Sequence, residues 1–264
     1  MSLKICVLAS GSSGNCTVVA SGRTRILIDA GLSARETEAR LGAVDLELSQ
    51  IDAILISHEH SDHRVSLRAL HRKTGAALYA NAPTLEALQR DPKLRKLHWN
   101  VFTTGQPFTL NDITVEPFSV PHDSYDPVGF VVINNGARAG IVTDLGVATG
   151  LIRQRLKDCS VLVLESNHDE EMLRDSERPW SLKQRIMGRQ GHFSNKQAAE
   201  LLNEIGGPHL QTVLLAHLSG DCNRPDIALK TTQDVLRDSG MSHIEVKLTY
   251  PDRSSDVVSA IPHG

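Results

Sequence analysis

The run His58-Glu59-His60-Ser61-Asp62-His63 crowds three imidazoles and the Asp62 carboxylate into six positions directly behind the apolar stretch Ile51 to Ile56. A strand that empties into such a loop carries its donors at the end of a sheet. A cation can sit there against a rigid floor while its other side stays open. Residues two apart on extended chain point the same way, so His58 and His60 can share one metal. Asp62 and His63, beyond the turn, can reach a second. The spacing is not that of a helical zincin, because the position four after His58 is Asp62. Nor is it an expression tag, since the histidines are internal and interrupted.

A fold that serves this loop needs sheets, and the chain supplies them. Short runs rich in Val, Ile and Leu recur over 3–8, 25–29, 51–56, 113–118, 128–133, 139–143, 161–165, 212–216 and 244–248, and these read as strands. Amphipathic stretches over 33–41, 65–73, 84–89, 148–157, 195–205 and 225–237 read as helices. The first half leans on strands and hairpins, and the second repeats a strand-then-helix order. The expected class is α/β, with sheets sandwiched between helices. No internal repeat or long Pro/Gly/Ser linker divides the chain, so one domain over 1–264 is expected, with a polar, mobile insert at about 168–191 and a flexible tail over 253–264.

With 40% hydrophobic and 22% charged residues the composition is that of a globular protein, and no apolar run approaches the roughly 18 residues of a membrane span. The N-terminus enters a strand after one lysine without a secretory apolar region, which reads as cytoplasmic. Cys6, Cys16, Cys159 and Cys222 lack paired C-x-x-C spacing and read as buried free thiols. A net charge of -3 exerts no global pull on nucleic acid, so any polyanion must be met by a local patch.

A two-metal centre needs more donors than the first cluster holds. His122 follows the strand ending at Phe118, Asp144 follows Ala139 to Thr143, and His217 ends Thr212 to Ala216. A carboxylate at Asp144 can bridge two metals. Taken singly, each residue has a plainer role: a strand-end histidine can simply be hydrogen-bonded, and Asp144 can cap a helix.

Their order after the His58 cluster matches a known pattern. His58, His60, Asp62 and His63, followed by His122, Asp144 and His217, resemble the H-x-H-x-D-H motif and later ligands of the metallo-β-lactamase superfamily, over nearly the whole chain. The resemblance implies a four-layer αβ/βα sandwich with two divalent metals at the sheet edges. Imidazole ligation suits zinc, and the mixed histidine and carboxylate set also suits manganese or iron. The segments Ala9 to Cys16, Glu165-Ser166-Asn167-His168-Asp169 and Gly191 to Asn195 are similar to the narrower WalJ/YycJ-type branch, described as metal-dependent DNA exonucleases. Glu165 and His192 look like the glutamate and histidine that flank the centre in transfer-RNA 3′-processing relatives. The implied roles are leaving-group acid or phosphate ligand for His192 and its orientation by Glu165, with Asp62 a further candidate base. Two alternatives stay open: His192 as a helix-start residue, and Glu165 paired with His168.

Substrate features are thinner. Arg178, Lys183, Arg185, Arg189 and Lys196 fall in a stretch without Asp or Glu and can track a phosphate backbone, with Trp180 as a stacking face. A solvated basic face with Trp180 as a packing anchor explains the same residues. Ser12, Ser13 and Asn15, in a glycine-flexed turn, can approach a phosphate or merely form the turn. The expected reaction is in-line attack on a phosphodiester of nucleic acid, by resemblance DNA, by a hydroxide shared between the metals. The rival is a lactone or thioester hydrolase with the same centre, which calls for an apolar pocket.

Overall fold

The computed structural model describes residues 2–262. Strands β1 (Leu3–Ala9), β2 (Cys16–Ala20), β3 (Arg25–Ile28), β4 (Ala53–Leu55), β5 (Ala77–Asn81) and β6 (Trp99–Phe102) lie in one sheet. The second sheet holds β7 (Phe108–Leu110), β8 (Ile113–Ser119), β9 (Val128–Asn134), β10 (Ala137–Val142), β11 (Val161–Glu165), β12 (Thr212–Ala216) and β13 (Glu245–Leu248). The last strand, β14 (Val258–Ala260), returns to the first sheet and pairs antiparallel with β1, Ile5 opposite Val258. The two sheets are built alike. The order β14-β1-β2-β3 is antiparallel and β3-β4-β5-β6 parallel, and likewise β7-β8-β9-β10 is antiparallel and β10-β11-β12-β13 parallel.

The helices are α1 (Ala34–Gly42), the single turn α2 (Ser61–Arg64), α3 (Leu67–Thr74), α4 (Ala82–Leu88), α5 (Gly150–Leu156), α6 (Glu170–Asp175), α7 (Trp180–Met187), α8 (Asn195–Ile205) and α9 (Pro225–Asp238). Local chemistry sets their starts. Ser33, Asn81 and Thr149 cap α1, α4 and α5 through side-chain oxygens, and Ser194 with Gln197 closes a capping box on α8.

Alternation along the strands separates the layers. In β11, Val161 and Val163 face the other sheet, where they join Ile5, Val7, Leu55, Phe130, Val132 and Leu214. Leu162 and Leu164 face outward and pack with Ala198, Leu202 and Leu236 of α8 and α9. In the first sheet Ile54 and Ile56 pack outward with Leu41, Leu67 and Leu70. Strands buried on both faces need apolar residues at every position, which is why they read as continuous runs. The expected helix–sheet–sheet–helix sandwich is the observed architecture.

Three expectations are corrected. The polar insert is ordered into α6 and α7: Asp169 caps α6, and Leu173, Leu182, Ile186 and Cys222 make a small core of their own. Its few apolar side chains lie too far apart in sequence to show a periodicity. The tail is tied down by β14, while His263 and Gly264 lie outside the described residues. Strands β2, β5, β6, β7 and β14 fall outside the apolar runs expected to be strands. The cysteines are buried and free, as expected.

Phe130 fills the space between the sheets, edge-on to Phe102. Phe130→Ala is expected to lower the unfolding free energy by about 3–5 kcal/mol, measured by urea denaturation. A loss under about 1 kcal/mol would contradict its place in the central core.

Candidate metal centre

Most of the cluster sits where strands end, and His192 enters from the loop before α8. His58 lies just beyond β4, Asp144 beyond β10 and His217 beyond β12, while Glu165 closes β11. These are carboxyl ends of parallel strands next to the place where each sheet switches from antiparallel to parallel, the position at which open sheets leave a crevice. Asp29, Asp144 and His217 adopt left-handed backbone, with φ of 65°, 56° and 56°. Such strain in non-glycine residues persists only where surroundings enforce it, and it gathers at functional sites.

Two sets of donors result. His58, His60 and His122 bring ligand atoms within 4.8 Å of one another. Nε2 of His58 lies 3.1 Å from Nδ1 of His60. His122 donates Nδ1–H to the carbonyl of Gly191 at 3.0 Å, which leaves Nε2 for the centre. Burial drives His58 well below the ordinary histidine range, with His63 adding to the effect, and burial also lowers His122. Neutral imidazole is the form that binds a cation.

The other set is held by carboxylates. His63 Nδ1 contacts Asp29 Oδ2 at 2.7 Å, and its Nε2 lies 3.1 Å from Asp144 Oδ2 and 3.4 Å from Asp62 Oδ2. Burial works against a charged His63, but Asp29 and Asp144 outweigh it and raise the group well above its usual range. His217 Nδ1 lies 3.2 Å from Asp144 Oδ1 and 3.0 Å from Glu165 Oε1. Against its burial, these carboxylates lift His217 to about 10. Asp144 lies between the two sets, grouped with His58 and His63 on one side and with Glu165, His192 and His217 on the other.

This donor set fits divalent metal. His217 Nε2 is buried without a hydrogen-bond partner, a costly state that a cation relieves.

Glu165 is fully buried. Its Oε2 accepts the backbone N–H of Leu145 at 2.6 Å and of Phe193 at 3.2 Å, and its Oε1 meets His192 Nδ1 at 2.8 Å. Burial alone would raise this carboxyl, yet His192 and His217 hold it down at about 2. The pairing with His192 answers the question left open by the sequence. His168 is bridged through its backbone to Ser194 instead.

Two proposed substrate residues are redirected. Asn15 is buried, and its amide donates to Asp62 Oδ2 at 3.2 Å and approaches His63 Nε2 at 3.1 Å, so it positions those side chains. Lys183 is buried too, its Nζ donating to the carbonyls of Arg174 and Ser176, both at 2.6 Å; that ammonium braces the insert and is not free for phosphate. Ser12, Ser13 and Arg185 are all exposed, and Ser12 and Arg185 line a cavity with His192. Arg189 lines an adjoining cavity with Val147 and Thr149, and Arg185 borders both. Trp180 is 59% exposed, so it is no packing anchor.

Asp29 escaped the sequence reading, although a lone carboxylate closing the apolar run Ile26 to Ile28 was its signal. It accepts Ser57 N–H at 2.8 Å and the Ser57 hydroxyl at 2.9 Å while holding His63. Gly31 lets the chain close over this point, because a Cβ there would overlap the carbonyl of Asp62 and the amide of Asn15. Asp29→Asn is expected to weaken divalent-metal affinity about 10–100-fold, read as metal retained after dialysis against graded chelator. Unchanged retention would show that His63 needs no such partner.

The comparisons agree with this geometry. Residues 24–218 match the family model described as the beta-lactamase superfamily domain. The exodeoxyribonuclease YycJ of Bacillus anthracis is 37% identical over 244 residues, covering 91% of each chain. The exodeoxyribonuclease WalJ of Streptococcus pneumoniae is 33% identical over 261 residues, or 98% of this chain and 97% of that one. Among solved structures, the metallo-β-lactamase fold protein YhfI of Bacillus subtilis superposes with a TM-score of 0.73 over 96% of this chain and 99% of that one, at 16% identity. With its paired sheets and strand-end histidines and carboxylates, the chain belongs to the metallo-β-lactamase superfamily of hydrolases and, within it, to the family of YycJ and WalJ.

Proposed function

We propose that the protein is a metal-dependent phosphodiesterase acting on nucleic acid, and specifically a DNA exonuclease, the activity for which its relatives YycJ and WalJ are named. The observation that carries the reading is the Glu165–His192 contact of 2.8 Å at the edge of the histidine and carboxylate cluster. His58, His60 and His122 would hold one divalent cation, and Asp62, His63 and His217 a second, with Asp144 between them; zinc, manganese and iron all suit these donors. Bound there, the cations lower the pKa of water from about 15.7 toward roughly 7 and neutralise charge on phosphoryl oxygens.

The chain's own residues do the rest. Glu165 takes His192 Nδ1 as its partner and so fixes which nitrogen is free. Against its burial, Glu165 raises His192 above the ordinary histidine range, so the ring can carry a second proton, on Nε2, for the departing oxygen. Asp62, steadied by Asn15, serves as ligand and as base. Trp180 offers a face on which an unpaired base can stack. A lactone or thioester hydrolase calls for an apolar pocket, and the cavity beside His192 holds two arginines instead. Free, buried cysteines suit a cytoplasmic setting. Among the described residues, no helix is long and apolar enough to cross a membrane.

The test is turnover of end-labelled single- and double-stranded DNA, RNA and a generic lactone by metal-loaded protein. DNA cleavage is expected, and chelator should abolish it. His192→Ala should lower kcat by about 10²–10⁴-fold while metal content stays. Lactone turnover with DNA left intact would overturn the reading.

A further inference from the structure

A cavity of about 170 Å³ opens beside the metal centre with His192 in its wall. Arg178 and Arg185 line it, together with the hydroxyl residues Ser12 and Ser219. We propose that this cavity is a phosphate subsite, in which Arg178 and Arg185 grip the phosphate of the nucleotide next to the scissile bond. The proposal rests on the nuclease reading above and adds to it the residues that select the substrate.

Charge is the first argument. The cavity wall carries two guanidiniums against one carboxylate, Asp123. Of the other cations of the basic segment, Lys183 is engaged on backbone carbonyls and Lys196 lies beside Glu200 at 3.9 Å, while Arg189 lines the adjoining cavity that shares Arg185 and Asp123. The second argument is exchangeability. Arg178 Nη2 meets Asp221 Oδ2 at 2.8 Å and Arg185 meets Asp123 at 2.5 Å, and in each pair one partner, Asp221 or Arg185, lies mostly in solvent while the other is half-buried. Pairs so open to solvent are weak, and a phosphate, with more charge and a fit to the guanidinium fork, displaces them.

Geometry is the third. Arg185 rides on α7, whose Leu182 and Ile186 floor the cavity and pack with Leu173 and Cys222, so the guanidinium is carried on an anchored helix. Ser219 Oγ accepts the Cys222 N–H at 3.1 Å, leaving its own O–H to donate. His192 is shared between the metal cluster and the cavity. A substrate bridging the two places must therefore carry a second anion close to the reacting phosphorus, as a polynucleotide does and a lactone does not.

The experiment is steady-state kinetics of the metal-loaded full chain on single-stranded oligonucleotides bearing a 5′-phosphate, a 5′-hydroxyl or a 3′-phosphate. Bis(p-nitrophenyl) phosphate, which has one phosphorus, serves as reference. The double variant Arg178→Ala, Arg185→Ala is expected to raise KM on DNA about tenfold or more, with kcat much less affected. The ratio of kcat/KM between DNA and the small diester should fall by a similar factor. Lysine at both positions should restore part of it. A preference of the wild type for one phosphorylated end, lost in the variant, assigns the cavity to that terminal phosphate. Equal use of all ends with the KM effect intact assigns it to an internal phosphodiester. DNA and small diester slowed alike through kcat, or no change in either, overturns the proposal. Failure of the nuclease reading has a separate signature, wild-type protein that turns over no DNA. In that event calorimetric titration with inorganic phosphate decides, and equal binding by wild type and variant sinks the subsite.

Discussion

A continuous chain of carboxylates and imidazoles, all buried but for the partly exposed His192, crosses this molecule, and the fold is arranged around it. From Asp29 it runs through His63, Asp144, His217 and Glu165 to His192, with successive contacts of 2.7, 3.1, 3.2, 3.0 and 2.8 Å. Stripping water from charged groups costs several kcal/mol per ion, so each member is tolerable only beside the next. The chain also spans both sheets, from the end of β3 to the segment before α8. Completing the centre therefore requires residues from both sheets.

The scaffold supplies rigidity on both sides of that chain. Strands buried on both faces hold the cluster from below, and the strained backbone at Asp29, Asp144 and His217 is enforced by them. Above, polar residues close the site: Ser10 Oγ accepts His217 N–H at 2.7 Å, and Asn15 reaches Asp62. Gly191 and His192 belong to both layers, since one supplies the carbonyl that orients His122 and the other projects beside the reacting centre. Catalytic power in such a site comes from groups that need not reorganise, and these are fixed before any substrate arrives.

Like architecture without like sequence is a second consequence. Each sheet joins an antiparallel half to a parallel half, and each brings metal-facing residues to the switch between them. No internal repeat is visible because only hydrophobic alternation is needed to build the strands, and many residue choices satisfy it. What differs is the dress. The first sheet contributes the dense His58 to His63 loop, while the second contributes single residues from separate strand ends.

The sequence by itself determined the strand and helix order in outline, the class of sandwich and the seven residues proposed as ligands. Apolar alternation and a dense ligand motif are local signals, legible over a few positions. Tertiary structure alone decided how distant residues combine. Glu165 selects His192 and His217 over His168 because β11, β12 and the start of α8 meet there. Lys183 became a brace because α7 folds its stem inward onto the carbonyls ending α6, and Asn15 became a clamp because the first turn closes over α2. Burial and partner choice are properties of the packed chain, and a side chain's chemistry is assigned by them.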